Sequence, residues 1–553
     1  MLDTDYNALA ELLYPHIDKT PADYEEIYPE RQLKEGARVT RFAPSPTGYI
    51  HLGNLFSAMI RKLAASVSDG VFFLRIEDTD KKREVENGVT AILSGLSKYG
   101  IVPMEGMTGE DTETGAYGPY KQSKRKDIYA CFAKDLVRKG LAYPCFCTEE
   151  ELNEMREKQE KAGVNPGYYG EWAVCRNLSF EKQKEYIESG RPYVLRLRSQ
   201  GKPDGVARTE DLIRGKIEMP ENTMDVVLIK SDGIPPYAFA HAVDDHLMRT
   251  TLVVRGDEWI ASLPAHLEIF KALGFKPPKY AHISPIMKLD DGNKRKLSKR
   301  KDPEAAVSYY SQQGYPKQSV LEYLMTLANS NYEDWRRANP DAPISAFPFN
   351  IKKMSQSGAL FDIYKLNDVS KNVISKMPAE EVASLVLDWS REYDTELHSI
   401  IKDDQSYLTE LFSIDRYGKK PRKDIAMWSE VKDYIAYFYD SLFRIDDALP
   451  ENIAQADAKA ICEAYINVFN FEDDKDTWFN KIKDMCAPLG FCPDVKQYKA
   501  EPQGFKGHVG DVASVIRLSV TGRLNTPDLH SILRLLGQER TIKRLKAFAD
   551  SLS

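Results

Sequence analysis

The sequence predicts a mixed α/β chain: an open parallel sheet flanked by helices, interrupted by an insertion and followed by an all-helical region. Three observations carry this. Strand-like and helix-length apolar runs alternate over residues 37–76, which is the pattern of a strand–helix–strand unit. A second alternation of the same kind spans about residues 224–289. Beyond about residue 301 the apolar spacing becomes helical. The 553 residues allow several domains, and 42% hydrophobic with 29% charged residues is an ordinary globular balance.

The elements follow in order. Ala37–Ala43 reads as a strand, and Pro44-Ser45-Pro46-Thr47-Gly48 forces a turn because two prolines and a glycine cannot continue a ladder. Phe56, Ile60, Leu63 and Val67 then lie on one helical face. Asp69-Gly70 ends that helix, and Val71–Ile76 is a near-continuous apolar strand, as a parallel sheet covered on both faces requires. After an insertion at roughly 130–223, Met224–Ile229 reads as a strand, Ser231-Asp232-Gly233 as a turn and Tyr237–Met248 as a helix. Thr251–Val254 is strand-like. Leu263, Leu267, Phe270 and Leu273 form a helical stripe stopped by Gly274, and Ala281–Ile286 is a last short strand. Asn329–Asn350, rich in Asn, Pro and Asp, marks a boundary, and Glu380–Arg391 and Ser429–Arg444 carry helical periodicity.

Composition narrows the function classes. No apolar run approaches the ~18–20 residues of a membrane-spanning helix. Met1–Pro15 has no basic n-region, so no secretory signal is expected. Seven cysteines are too sparse for a disulfide scaffold, and a cytoplasmic location is expected. The net charge of −7 disfavours a nucleic-acid partner at first sight. Residues 1–36, however, hold nine acids against three bases, a local −6, which leaves −1 for the other 517 residues. An anionic partner is therefore not excluded.

Two segments carry chemistry. Pro46–Asn54 sits between a strand's carboxyl end and a helix start, where open α/β sheets bind ligands and free N–H groups meet phosphate. Gly48 and Gly53 would permit close approach, and His51 could donate to a developing phosphate charge. On spacing alone, an ordinary loop with a surface histidine fits equally well. The second segment, Lys294–Lys301, has six bases in eight residues. It follows the turn Asp290-Asp291-Gly292, so a mobile lysine loop there could close over a triphosphate.

Together these segments carry a family resemblance. His51-Leu52-Gly53-Asn54 resembles the HIGH motif of class I aminoacyl-tRNA synthetases, and Lys296-Leu297-Ser298-Lys299-Arg300 resembles their KMSKS loop. Arg41–Gly48, Leu74–Asp80, Gly118-Pro119-Tyr120, Val243–Met248 and Arg255–Trp259 resemble bacterial glutamyl-tRNA synthetases. The final HIGH position is Asn54, and the last KMSKS position is Arg300.

The resemblance implies a Rossmann-type parallel-sheet catalytic core in two halves, residues 37–129 and 224–301, after an acidic extension at 1–36. It implies an acceptor-stem-binding insertion at 130–223, a stem-contact or linker region at 302–349 and an all-α anticodon-binding region at 350–553. It implies a cytoplasmic, monomeric glutamate–tRNA ligase that uses ATP and Mg²⁺ and needs bound tRNA before it activates glutamate. The product would be glutamyl-tRNA(Glu); a non-discriminating enzyme that also charges tRNA(Gln), or a glutaminyl-tRNA synthetase, are the alternatives. The helical pattern after residue 350 disfavours the last of these.

Site roles come with the resemblance. Thr47, His51, Lys296 and Lys299 would be catalytic, with Lys299 on the departing pyrophosphate. Arg41, Ala43, Ser45, Glu77, Tyr237, His241 and Arg255 would bind glutamate: Arg41 and Arg255 read carboxylate, and Glu77 takes the α-ammonium. Gly53, Glu258, Trp259, Leu297 and Ser298 would join Thr47, His51, Lys296 and Lys299 around ATP. Some relatives bind structural zinc through CxC followed by YxxxC. Here Cys145, Cys147 and Cys175 are present, but no tyrosine stands four residues before Cys175, and Tyr169 takes that place in the expected set. Tyrosine and base clusters at Arg416–Lys423, and a local +4 over residues 502–553 that includes the family-like Arg517–Arg523, are expected tRNA contacts.

Overall fold

The computed structural model describes residues 5–46, 48, 50–80, 85–298 and 300–552. The chain forms two compact units, one from residues 1–309 with 324–362 and the other from 310–323 with 363–553.

The first unit holds the strands. In chain order these are β1 (Val39–Phe42), β2 (Val71–Leu74), β3 (Glu105–Met107), β4 (Glu113–Thr114), β5 (Ala142–Cys145), β6 (Val194–Leu197) and β7 (Val206–Asp211). They continue with β8 (Gly215–Pro220), β9 (Val227–Ile229), β10 (Leu252–Gly256), β11 (Lys279–Ile283), β12 (Met287–Asp290) and β13 (Asn293–Lys296). β1 pairs in parallel with β2, Val39 against Val71 and Arg41 against Phe73, and β2 pairs in parallel with β3. β10 pairs in parallel with β11. The halves meet where the Thr251 amide donates to the Val39 carbonyl at 3.0 Å and Thr251 Oγ1 accepts from the Val39 amide at 2.8 Å. β1 and β10 thus lie side by side at the point where strand order reverses, and the crevice beyond their carboxyl ends is the ligand position of such sheets.

The helices of this unit include, in chain order, α1 (Tyr6–Leu13), α2 (Pro21–Ile27), α3 (Leu52–Ser66), α4 (Gly88–Ser97), α5 (Lys126–Arg138), α6 (Glu149–Lys161), α7 (Phe180–Glu188), α8 (Tyr237–Leu247) and α9 (Leu263–Leu273). β1, α3 and β2 form as the spacing predicts. Leu52, Leu55, Phe56, Met59 and Ile60 bury one face of α3 against the sheet. Gly274 caps α9 with φ +78°, a left-handed conformation that suits glycine.

Two segments go elsewhere than expected. The strand expected at 224–229 forms as β9, but it pairs with β6 and completes the small antiparallel sheet β5-β6-β9. In exchange the hairpin β7–β8 joins the catalytic sheet through Asp211 against Tyr280 of β11. Apolar spacing identifies a strand but carries no record of its partner. The basic segment after Gly292 is no open loop at its start: Asn293–Lys296 is β13, antiparallel to β12 across Asp291 (φ +49°) and Gly292 (φ +81°). Two consecutive positive-φ residues make the tight turn whose twist matches a hairpin.

The acidic extension folds as α1 and α2 against α5, burying Leu9, Ala10, Leu13 and Tyr24. Its charges are partly spent on neighbours. Glu11 pairs with Lys134 at 2.8 Å and Arg138 at 2.5 Å, and Glu25 with His246 at 2.6 Å and Arg249 at 2.7 Å. Arg31 forks onto Glu105 at 2.8 and 2.9 Å, while its Nε donates to the Met248 carbonyl at 3.1 Å, just past the end of α8.

The second unit is helical among its described residues, with helices such as Ala379–Tyr393, Gln455–Val468, Lys475–Leu489 and Val509–Thr521 around one apolar core. The periodic stretch 429–444 does not make one helix; it breaks into short turns at Trp428–Glu430, Val431–Tyr434 and Ala436–Phe438. No helix among the described residues is long and apolar enough to cross a membrane.

Candidate active site

A cavity of about 970 Å³ opens at the carboxyl ends of β1 and β10. Arg41 reaches it from β1, and Ala43 and Ser45 from the segment after β1. Glu77 follows β2, Tyr237 starts α8, and Arg255 comes from β10. Glu258 and Trp259 line it from the short turn after β10. His51 and Gly53 line it from the start of α3, and Lys296, Leu297 and Ser298 from the end of β13. Thr47 and Lys299 lie outside the described residues.

Buried charge holds the end of the cavity that Arg41, Glu77 and Tyr237 line. Arg41 is 2% exposed and its Nε donates to both Asp245 oxygens at 3.1 Å. Its Nη2 lies 3.4 Å from the Tyr237 hydroxyl. Arg75 donates to Asp245 at 2.7 Å and to Glu77 at 3.1 Å. Arg125 donates to Asp244 at 2.6 Å, and Asp244 also accepts from Gln122 at 2.9 Å and Tyr129 at 2.8 Å. Three guanidiniums face three carboxylates, so each of these six buried charges has a partner. Burial alone would raise the Asp245 carboxyl, but Arg41 and Arg75 outweigh it and hold the group well below the usual range. Burial pushes the Glu77 carboxyl up, against the pull of Arg75 and Arg41.

Arg255 is held differently. Its Nε donates to His282 Nε2 at 3.0 Å, and its Nη1 lies 2.9 Å from His266 Nδ1. His282 Nδ1 lies 2.7 Å from Asp211, so the tautomer with its proton on Nδ1 satisfies both bonds. Burial pushes His266 down to about 2, which keeps that ring neutral too. Arg255 Nη2 is buried with no hydrogen-bond partner. Two neutral imidazoles therefore orient this guanidinium without cancelling its charge.

His241, expected at the glutamate, does not line the cavity. It is fully buried, with Nδ1 2.5 Å from Asp245 and Nε2 3.2 Å from the Tyr280 hydroxyl, and burial pushes it down to about 4. One helical turn after Tyr237, it stacks on that ring at 5.3 Å and acts as a support. From sequence, helix periodicity placed it on the right face but could not tell wall from backing.

At the other end, His51 caps α3: its Nδ1 accepts from the Asn54 amide at 3.1 Å. The proton must then sit on Nε2, where it can be donated. Gly53 makes room for this ring, since a Cβ there would stand 2.9 Å from His51 Cε1. The β12–β13 hairpin brings Lys296 to the cavity. Its base is tied by Asp302, which accepts from Arg295 at 2.6 and 2.8 Å and from the Ser298 amide at 2.9 Å. Those bonds hold the Asp302 carboxyl well below its usual range. Sequence reading missed Asp302. It also missed Arg61, a cavity-lining cation on the otherwise apolar face of α3.

Cys145, Cys147 and Cys175 bring their sulfurs within 4.8 Å of one another. Tyr169 is not with them: its hydroxyl donates to the Asn165 carbonyl at 2.7 Å. Tyr168 is, with its hydroxyl 3.4 Å from Cys147 Sγ. Tyr169 has extended backbone (φ −159°, ψ 162°), and neighbours along an extended chain point to opposite sides.

In the helical unit the expected tRNA-contact arginines are partly occupied. Arg416 donates to the carbonyls of Ile374 at 2.7 Å and Met377 at 2.9 Å, and Arg422 pairs with Asp424 at 2.8 Å. Lys419, Lys420, Lys423 and the ring of Tyr417 are exposed. Arg517 donates to the Pro527 carbonyl at 2.8 Å, and Arg523 pairs with Asp433 at 2.6 Å and Asp446 at 2.9 Å.

Comparison with known proteins places these features. Residues 38–368 match the model of the catalytic domain of class I tRNA synthetases (E and Q), and residues 495–549 match an anticodon-binding-domain model. The chain is 52% identical over 547 residues to a glutamate–tRNA ligase of Clostridium perfringens (strain SM101 / Type A), covering 98% of this chain and 99% of that one. It is 49% identical over 550 residues to one of Clostridium beijerinckii, covering 99% and 100%. A crystal structure of a glutamate tRNA ligase from Elizabethkingia meningosepticum in complex with its amino acid superposes with a TM-score of 0.75 at 27% identity, covering 93% of this chain and 100% of that one. On the matched catalytic domain and these near full-length relatives, the chain belongs to the class I tRNA synthetases of the glutamate and glutamine group.

Proposed function

We propose that this chain is a glutamate–tRNA ligase. It joins glutamate to ATP as glutamyl-adenylate and then passes the glutamyl group to the 3′ end of tRNA(Glu). The observation that carries the reading is one cavity, at the carboxyl ends of β1 and β10, that Arg41, Glu77, Tyr237 and Arg255 line together with His51 and Lys296. The glutamate α-carboxylate attacks the α-phosphorus, and the bond to the departing pyrophosphate breaks. The terminal ribose hydroxyl of tRNA then attacks the acyl carbon and AMP leaves. Both steps develop charge on phosphate oxygens, so oriented donors and fixed cations supply most of the assistance. His51 Nε2–H and Lys296 serve that role, and Thr47 and Lys299 share it in this reading. Mg²⁺ arrives with the ATP as part of the substrate.

Arg255 and Arg41 read the side-chain carboxylate, with Tyr237 donating its hydroxyl, and Glu77 takes the α-ammonium. Ala43 and Ser45 shape the same end, and Glu258 and Trp259 flank the nucleotide. The second unit binds the anticodon arm of the tRNA. The three thiols fit a zinc ion in donor type and mutual distance, with Tyr168 as the nearest oxygen donor. Zinc held there would brace the insertion that we assign to the acceptor stem. The enzyme acts as a monomer in the cytoplasm.

Glutamate-dependent ATP–pyrophosphate exchange tests the reading, run without tRNA, with tRNA(Glu) and with tRNA(Gln). Exchange with glutamate in the presence of tRNA(Glu) is expected. No exchange in any arm refutes the ligase, and exchange driven by glutamine refutes the specificity. Charging of tRNA(Gln) with glutamate would identify a non-discriminating enzyme.

A further inference from the structure

One cation of the cavity wall has no place in the scheme above. Arg61, on α3, is 7% exposed yet lines the cavity. Its Nη2 donates to the Val254 carbonyl at 2.5 Å, its Nη1 to the Ser57 hydroxyl, and its Nε is buried with no hydrogen-bond partner. No carboxylate of the described residues forms an ion pair with it, although its guanidinium lies 5.4 Å from the Phe42 ring centre. Arg41, Arg75 and Arg125 are each matched by Asp244, Asp245 or Glu77. Arg61 and Arg255 are the cavity arginines left without a carboxylate.

Burial of an unpaired guanidinium is costly, and here burial and the nearby Arg41 charge push Arg61 down to about 9. The other groups that act on it are Tyr237 and Glu77, both at the amino-acid end. His51 stands ten residues earlier on the same helix, about 15 Å along its axis. Arg61 also grips the carbonyl of the residue that precedes Arg255. An anionic ligand at the amino-acid end would supply the counter-charge that the protein withholds.

Building on the ligase reading, we propose that Arg61 is a further specificity-determining residue of the amino-acid pocket. With Arg255 it supplies positive charge that only a bound carboxylate balances, and so it selects glutamate over its neutral amide.

Arg61→Gln and Arg61→Lys, in the full-length chain with tRNA(Glu), test this. In Arg61→Gln the glutamate KM should rise at least tenfold, the ATP KM should stay within twofold, and the preference for glutamate over glutamine should fall at least tenfold. Lysine displaces the charge and loses the planar fork, so Arg61→Lys should raise the glutamate KM at least threefold. A residue that merely staples α3 to β10 would lower thermal stability without moving the glutamate-to-glutamine ratio. A folded Arg61→Gln with wild-type glutamate KM and ratio overturns the proposal. So does a rise confined to ATP, and so does a wild-type glutamate KM in Arg61→Lys should the glutamine variant fail to fold. A wild-type enzyme that does not activate glutamate would instead fail the ligase reading itself.

Discussion

Asp245→Asn is the sharpest test of how the pocket is held. The carboxylate is fully buried and takes bonds from Arg41, Arg75 and His241 at 3.1, 2.7 and 2.5 Å. The amide keeps the shape but removes the charge, which leaves buried Arg41 without its carboxylate and Arg75 with Glu77 at 3.1 Å and Asp244 at 3.8 Å. Loss of one member of a buried ion pair costs about 3–5 kcal/mol. That is a large part of the ~5–15 kcal/mol that holds a typical domain together. A urea slope of about 3 kcal/mol per molar converts it to a midpoint shift of about 1 M or more. Tryptophan fluorescence during urea unfolding would read it. Glu25→Gln is the control, because Glu25 is 40% exposed in its pair with Arg249 and should cost no more than about 1 kcal/mol. The pH dependence has a definite sign. The folded pKa of Asp245 is depressed, so its contribution is present above the unfolded value near ~3.9 and is lost as pH falls through the lower folded value. The difference between wild type and Asp245→Asn should therefore persist through neutral and mildly acidic pH and shrink only in strong acid. Equal midpoint shifts for the two variants would refute the buried-network account.

Two further outcomes are expected. The purified chain should carry close to one zinc; Cys175→Ser should lose it and Tyr169→Phe should retain it, as metal analysis would show, and full zinc in Cys175→Ser would remove the site. Arg31→Met should lower stability by about 2–3 kcal/mol, because the Glu105 fork and the bond to the Met248 carbonyl go together; a thermal midpoint unchanged from wild type would show that the extension does not brace the core.

Much of the fold was legible because the first strand–helix–strand unit is built from local signals: apolar spacing, two prolines, and glycines at turns. The assignment of β9 to the catalytic half failed because a strand's partner lies far along the chain. The helical periodicity at 429–444 likewise did not tell that the stretch forms short turns in place of one helix. The same division runs through the site. Motif positions such as His51, Glu77 and Arg255 do line one cavity, whereas His241 sits behind its wall and Tyr168 stands where Tyr169 was expected. In both cases side-chain direction and depth, which spacing does not record, decide which group faces the site.

By itself the sequence determined the family, the order of the strands and helices in the first α/β half, and many of the residues that line the cavity, though not Arg61. Charge was beyond it. The acidic extension counts as −6 in the sequence, but tertiary packing puts two of its acids onto Lys134, Arg138, His246 and Arg249. Likewise four arginines look equivalent as letters. Only the folded chain sets Arg41 and Arg75 on the shared Asp245 carboxylate and leaves Arg61 and Arg255 against carbonyl, hydroxyl and neutral imidazole. The reason is physical: residue identity sets the formal charge, while the available field depends on which groups lie within a few ångströms inside a low-dielectric interior.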